Sequence, residues 1–307
     1  MNKLMEFDMY ISPDGEIYDF NTTTDRFLVS IGNLGMPQIE YLTQRGPFQH
    51  GVTPLDYYLQ PRVIQLMHRR NACGRQRYWD VRADILNHIR PNRQLANSFE
   101  TGVLRKVLPD GNKRDISVLV QEGPRFDPQI GGEWDEWSIQ DVIRFIAFDP
   151  TFFDPTDETY TFVLSSLTEL VFPIVFPIEF GSSNIDDTET FTYTGTWLSY
   201  PTITIVGPLN IPQIWNSVTG EKIVLYYNIP AARTVTINLE YGNKTVEDDL
   251  GTNLIGTVTT DSDLATFHVA VDPEAPNGVN TFRVQGTDAV SGETSITITF
   301  KDRYIGI

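Results

Sequence analysis

Residues 200–208 read Tyr-Pro-Thr-Ile-Thr-Ile-Val-Gly-Pro, a β-branched run from Thr202 to Val206 bounded by proline on one side and by glycine and proline on the other. Branching at Cβ restricts χ1 and suits a pleated, half-buried surface, so the run reads as a strand with its ends marked. Comparable runs follow around it at Phe191–Tyr193, Lys222–Asn228, Thr234–Tyr241, Ala265–Val271, Thr281–Gln285 and Ser295–Lys301. Gly, Pro, Asn and Asp clusters separate them at roughly the 8 to 20 residue spacing of a sandwich or jelly roll. The second half is therefore expected to be all-β. It begins at the paired turn signals Asp149-Pro150 and Asp154-Pro155, downstream of which no helical stripe occurs, and the domains are placed at 1–150 and 151–307.

Working towards the N-terminus, Trp137–Phe148 reads as a strand, and Leu104–Leu108 and Ile116–Gln121 flank a Pro109-Asp110-Gly111 turn. Phe7–Ile11 and Glu16–Phe20 flank a second such turn, Ser12-Pro13-Asp14-Gly15. Proline presets φ at the second position of these turns and glycine relieves the last, so both segments predict hairpins. Arg26–Ile31 and Arg62–His68 predict further strands. Between them, residues 32–53 are interrupted by Gly32, Gly35, Pro37, Gly46, Pro47 and Gly51 and read as a long loop, a length that usually serves a function or a partner. Tyr78, Val81, Ile85 and Ile89 recur at helical spacing, with Trp79 and Leu86 widening the stripe, and predict one principal helix at about 77–90, ended by Pro91. The chain is thus mostly β, with one helix in its first half.

A chain of 307 residues is long for one domain, and its 40% hydrophobic and 12% aromatic content is that of a folded protein. The single cysteine, Cys73, excludes an intrachain disulfide and suits a reducing compartment. The opening MNKLMEFDMY has no apolar core of signal-peptide length, and the apolar stretch 162–180 contains Glu169, Glu179, Pro173 and Pro177, so neither an export signal nor a membrane span is expected. Net charge is −17, unevenly held: residues 1–150 have 17 Lys+Arg against 20 Asp+Glu (−3), residues 151–307 have 6 against 20 (−14). So acidic a second half repels phosphate backbones and argues against nucleic-acid binding there.

Catalytic patterns are sparse. Gly131-Gly132-Glu133-Trp134-Asp135-Glu136-Trp137 interleaves carboxylates with tryptophans, as a glycoside hydrolase would require, but neighbours along a strand face opposite ways, so a turn with buried tryptophans is preferred. His50, His68, His88 and His268 lack the spacing of a zinc site. Asp186, Asp187 and Glu189, and Glu247, Asp248 and Asp249, lack the spacing of a calcium loop and read as solvated turns. Gly251 and Gly256 are outside any strand-loop-helix context for phosphate, and no Gly-x-Ser-x-Gly elbow is present. No enzyme activity, metal or cofactor is expected.

The least ordinary local feature is the run from Arg62 to Arg93, which holds Arg62, Arg69, Arg70, Arg75, Arg77, Arg82, Arg90 and Arg93 against Asp80 and Asp84. Such a patch could track phosphate or lie solvated. Arginine also pairs carboxylates bidentately and stacks on aromatics at interfaces, and the acidic half of the chain offers a partner surface. The preferred expectation is a subunit interface using Arg62, Arg69, Arg70, Arg75 and Arg77, with charge reversal at Arg69 and Arg70 weakening assembly without unfolding the monomer.

Several short words in order resemble the phage distal tail protein family, also called siphovirus-type tail component proteins. Val171-Phe172-Pro173-Ile174-Val175-Phe176-Pro177-Ile178-Glu179-Phe180-Gly181 is similar to its Phe-Pro segment ending in glycine, and Tyr200–Pro208 to its Pro-x-Ile-x-Ile-x-Gly strand. Pro276-Asn277-Gly278-Val279-Asn280 resembles its Pro-Gly-x-Asn turn, with Asn277 intervening, and Ile296–Tyr304 its closing strand with an Arg-Tyr ending. In the first half, Arg45–Gly51 and Leu59–Ile64 resemble its glycine-containing loop and Arg-led strand. The resemblance implies an N-terminal β-sandwich with one helix that forms a homohexameric ring, and a galectin-like C-terminal β-sandwich. It further implies a virion protein of the tail tip, assembled in the bacterial cytoplasm, joining the tail tube protein to a tail-tip or baseplate hub protein, with a receptor-binding protein or a cell-surface carbohydrate as further contacts. The rival expectation is a carbohydrate-binding module using an exposed tryptophan such as Trp197 or Trp215; a buried tryptophan at those positions would instead hold the core.

Overall fold

The structure is a computed structural model and describes residues 8–21, 26–72, 74–90, 101–126, 138–163 and 184–307. The chain divides into two compact units, Met1–Pro155 with Tyr304–Ile307, and Thr156–Arg303. This division differs from one after residue 150 in two respects. Phe153 of a short strand pairs with Asp115 of the first unit's sheet, and the last four residues return to that unit.

The first unit contains β1 (Asp8–Ile11), β2 (Ile17–Asp19), β3 (Arg26–Gly32), β4 (Ile39–Gln44), β5 (Thr53–Leu59), β6 (Arg62–Asn71), α1 (Arg75–Ile89), β7 (Gly102–Val107), β8 (Lys113–Glu122), β9 (Ser138–Ala147) and β10 (Phe152–Phe153). Its main antiparallel sheet runs β2-β1-β7-β8-β9-β6-β3. The ten-residue β8 is shared by both ends of this order, pairing with β7 along residues 113–118 and with β9 from Leu119 onward, and Tyr10, Leu104 and Ile116 from one end share a core with Ile64, Leu66 and Phe145 from the other. The two Pro-Asp-Gly turns close hairpins as expected: Gly15 and Gly111 adopt positive φ of 83° and 89°, and their amides donate to Ser12 and Leu108 carbonyls. Val81, Ile85 and Ile89 of α1 are buried, and the last two join a core with Tyr18, Phe20, Leu66, Ile143 and Phe145. Trp79 and Leu86 point outward instead.

The second unit contains β11 (Glu158–Val163), β12 (Ile185–Thr192), β13 (Thr202–Val206), β14 (Leu209–Asn216), β15 (Lys222–Val224), β16 (Asn228–Ile229), β17 (Thr234–Asn238), β18 (Thr245–Asp248), β19 (Val279–Thr287) and β20 (Ser295–Phe300). They form two five-stranded antiparallel sheets, β11-β20-β13-β17-β18 and β12-β19-β14-β15, with β16 also on β14. Ile203, Ile205, Val235, Ile237, Ile296 and Ile298 from one sheet share a core with Ile214, Ile223, Phe282 and Val284 from the other. Each such fully buried side chain contributes about 1.5–3 kcal/mol, which fixes the inward parity of every strand.

Two features differ from the sequence reading here. Strand β14 is interrupted by Pro212 and a register shift between Asn210 and Gln213, with Ile211 at φ 48°, so it lacks a clean β run. Residues 265–271, expected to be a strand, are an irregular segment pinned by side-chain amides: Asn280 donates to the Ala270 carbonyl (2.8 Å) and accepts from its amide (3.0 Å), and Asn216 donates to the His268 carbonyl (2.9 Å). The apolar Phe267, Val269 and Ala270 are buried without a continuous ladder partner.

Candidate subunit interface

Strand β6 sorts the arginines by parity. Arg62, Ile64, Leu66, His68 and Arg70 all face inward, while Arg69 lies on the other face. Arg62 donates through Nη1 to the Asn33 and Gly35 carbonyls (2.9 and 2.6 Å) and through Nη2 to the Ile305 carbonyl (2.7 Å), with its guanidinium 4.8 Å from the Phe152 ring centre. Burial draws its pKa below the usual arginine range. Arg70 is fully buried and forms an ion pair with Asp141 at 2.7 Å, while the other Asp141 oxygen accepts from the Phe126 amide. Burial lowers the Arg70 pKa as well, against the opposing pull of Tyr18 and Asp141.

Arg62 and Arg70 therefore organise the interior of the unit, and charge reversal at Arg70 strands a buried carboxylate rather than leaving the monomer intact. Arg69 is half-buried beside Asn71, Arg77 is exposed on the first turns of α1, and the backbone of Arg75 begins that helix. The alternation Arg62-x-Ile64-x-Leu66 carried the signal: a residue two or four places from a core isoleucine or leucine in a strand shares its face.

The segment read as a long loop, residues 32–53, holds β4, whose partner β5 follows directly after it; among the described residues these two strands pair with no other. Their register sets Ile39 opposite Leu59 and Tyr41 opposite Tyr57, so these four side chains share one face of the hairpin. Tyr41 is 60% exposed, Leu55 57% and Tyr58 54%, and Phe48 at the tip is fully exposed. A two-stranded hairpin is marginal in water on its own, and large side chains gathered on an unpacked ribbon mark an interaction surface. On α1, exposed Trp79 and Leu86 accompany Arg82, whose guanidinium lies 4.8 Å from the Trp79 ring centre. Exposed strands have no inside to alternate against, which is why the hairpin left no period-2 pattern.

The remaining candidates fall elsewhere. Residues 131–137, the Phe-Pro segment 171–181, Cys73 and Arg93 lie outside the described residues. Asp248 and Asp249 hold Arg233 (2.9 and 2.7 Å), and Asp186 holds Arg283. His68 is in the first unit's core, and His88 lies beside Asp84. His268 sits between Glu221 (3.1 Å) and Glu274 (3.0 Å). Burial opposes its charge, but hydrogen bonds to the two carboxylates and the Thr266 carbonyl outweigh it and push its pKa up to about 9. Trp197 and Trp215 are both half-buried; the Trp197 carbonyl accepts from the Tyr193 hydroxyl, and Trp215 lies on an outer sheet face.

No protein-family model and no curated protein matches the chain. Among solved structures, the crystal structure of SPP1 Dit (gp 19.1) aligns over 97% of this chain and 99% of that one, with a TM-score of 0.59 and 14% sequence identity. The chain has the fold of SPP1 Dit. The alignment to SPP1 Dit spans both units, since it leaves only 3% of this chain unmatched. SPP1 Dit is described as a paradigm of the hub adsorption apparatus in phages that infect Gram-positive bacteria. Two structures of the phage p2 baseplate in its activated conformation, with Ca and with Sr, align over 96% of this chain and 97% of each matched chain at 10% identity, with TM-scores of 0.46 and 0.44.

Proposed function

We propose that the chain is a distal tail protein: a structural, non-catalytic virion subunit that forms a ring at the tip of a long phage tail. The observation that carries this reading is the alignment to SPP1 Dit along nearly the full length of both chains. In this proposal the ring is homohexameric, its first units form the closed layer, and the second units are galectin-like. The tail tube protein and a baseplate hub protein bind its two sides.

A closed ring of identical subunits needs heterologous contacts, one face of each copy meeting a different face of the next. The β4-β5 hairpin supports that requirement, because Tyr41 and Tyr57 stand exposed on one of its faces, beside the half-buried Ile39 and Leu59. Arg69, Arg75 and Arg77, with Trp79 and Leu86, are the proposed contributors from the β6-α1 region. Arginine beside exposed aromatic and aliphatic groups is the composition of an interface centre.

The test is the solution mass of the purified protein by light scattering, with negative-stain imaging of the largest species, for the native sequence and for the double variant Tyr41→Ser/Tyr57→Ser. A ring of about six copies that the variant loses is expected. A monomer at every concentration, unchanged by tail tube and hub proteins, sinks the reading. A ring that the double variant forms equally well removes the hairpin from it.

A further inference from the structure

Helix α1 packs Val81, Ile85 and Ile89 inward and leaves another side uncovered. Trp79, Arg82 and Leu86 follow one another at steps of three and four residues, which sets them on one side of the helix, and Trp79 and Leu86 are exposed. Arg82 is half-buried among rings: its guanidinium lies 4.2 Å from the ring centre of Phe126, 4.8 Å from that of Trp79 and 5.4 Å from that of Tyr78. The Phe126 platform is fixed from the interior, because its amide donates to the same Asp141 that holds buried Arg70.

A guanidinium carries five N–H donors. Arg82 donates through Nη1 to the Tyr78 hydroxyl (3.2 Å), and among the described residues no carboxylate lies within ion-pair distance of it. Its Nε and Nη2 edge, the one that Arg105 turns on Asp115 and Arg283 on Asp186 with two parallel bonds, has no acceptor among the described residues. Stacking holds the plane of such a fork, so a carboxylate arriving from outside loses little further freedom in binding it.

The same chain carries the complementary excess. Residues 151–307 hold 6 Lys+Arg against 20 Asp+Glu, and Asp186, Asp248, Asp249 and Asp261 are each taken by a cation of their own unit. Asp187 and Glu189 on β12 have no cation within ion-pair distance among the described residues. Both have the inward parity of buried Ile185 and Phe191 and stand opposite core Val284 and Phe282, yet both are exposed, at the outermost strand of their sheet. Inward-pointing charge on an edge strand blocks sheet-to-sheet pairing, and it also offers carboxylates to a cation that arrives from outside. We propose that Arg82 of one copy, flanked by Trp79 and Leu86, receives the Asp187 and Glu189 edge of β12 of a second copy. A second copy is the occupant because the unpaired fork and the unpaired carboxylates both belong to this chain, on different surfaces, and a contact between unlike surfaces is the heterologous kind that a ring repeats. The proposal rests on the tail-ring reading and names the partner of its α1 surface.

The experiment is a charge swap read by light scattering over a concentration series of the intact protein, with tail tube and hub proteins added if native assembly needs them. The variants are Arg82→Glu, Asp187→Arg/Glu189→Arg, the three changes combined, and the control Glu158→Arg/Glu293→Arg, which alters the charge of the second unit equally at two other exposed carboxylates; each is accompanied by its melting curve. Expected is a rise of about tenfold or more in the concentration for half assembly in each of the first two variants, recovery towards the native value in the combined variant, and no loss in the control. If Arg82→Glu melts early, the decision passes to Asp187→Arg/Glu189→Arg, whose positions are exposed. Native-like assembly of the well-folded variants, no recovery on combining them, or an equal loss in the control overturns the contact while a native ring leaves the tail-ring reading standing. A native protein that stays monomeric under every condition overturns both.

Discussion

Replacing Arg62 with alanine removes a buried guanidinium that holds three carbonyls, those of Asn33, Gly35 and Ile305, at 2.6 to 2.9 Å. Each hydrogen bond from a charged donor is worth about 1.5–3 kcal/mol net, and the lost stacking on Phe152 adds to it. The sum is an upper limit, because Asn33 and Gly35 are exposed residues whose carbonyls regain water when the side chain is gone. About 3 kcal/mol is therefore expected, equivalent to a fall of roughly 6–12 °C in the melting temperature of a unit this size. Arg62→Lys should recover part of the loss, since an ammonium retains donors but not the planar fork. Hydrogen exchange locates the damage: the Ile307 amide, bonded to the Leu34 carbonyl at 3.0 Å, should lose protection in Arg62→Ala. A variant melting within about 2 °C of the native protein, with Ile307 still protected, would refute the assignment of Arg62 as the clamp.

Three further outcomes are expected. Arg70→Glu should destabilise the first unit by about 3–5 kcal/mol, because it sets a second carboxylate against buried Asp141, whereas Arg69→Glu should leave its melting nearly unchanged; equal melting of the two variants contradicts the parity argument. His268 has a folded-state pKa near 9 against an unfolded value of about 6.5, so its stabilisation is complete below pH 6.5 and disappears as pH rises through 9. Melting of the second unit should fall over that window, by less than the full shift implies because half-exposed Glu274 is screened by solvent, and His268→Gln should abolish this component; an unchanged pH profile in the variant rejects it. Gly278 adopts φ +72° with its Cα facing the Tyr193 carbonyl, so Gly278→Ala should cost at least about 2 kcal/mol, and denaturant unfolding at native stability would show that the turn tolerates a side chain.

Legibility followed locality. The two Pro-Asp-Gly hairpins and α1 could be read because their signals lie within a few residues, and the sequence span expected for the helix, about 77–90, agrees closely with Arg75–Ile89. Residues 265–271 misled because their apolar composition reports burial, not pairing, and the groups that satisfy their backbone are the side chains of Asn216 and Asn280, remote in sequence. Strand β14 escaped notice because Pro212 and the bulge beside it break the pattern that core strands elsewhere keep. Among the candidate interface arginines, composition showed the cluster but not its direction. That information lay in the parity of Ile64 and Leu66, which takes Arg62 and Arg70 inward and leaves Arg69 out.

This parity also joins the fold to the proposed assembly. Asn33 and Gly35, which Arg62 holds, lie in the short segment leading into β4 at Ile39, so the clamp fixes the region from which the hairpin leaves its unit. At the other end, the Gln60 amide donates to the Gln38 carbonyl at 2.8 Å, one residue beyond β5 and two before Arg62. Among the described residues the hairpin pairs with no further strand, and a ribbon tethered at one end is oriented only as well as that end is fixed. The C-terminal residues complete the anchor: the Ile305 carbonyl is the third acceptor for Arg62, and the Tyr304 ring lies 3.7 Å from the Arg114 guanidinium, which also pairs with Asp154 at 3.2 Å. An arginine in a core is a poor source of stability compared with packed apolar side chains, so its value here is geometric. Arg62→Ala should therefore also weaken ring assembly, and removing residues 304–307 should reproduce both this and the earlier melting of the first unit. A truncated protein that melts and assembles like the native chain would separate the tail of the chain from the hairpin and leave the orientation of the hairpin to Arg62 alone.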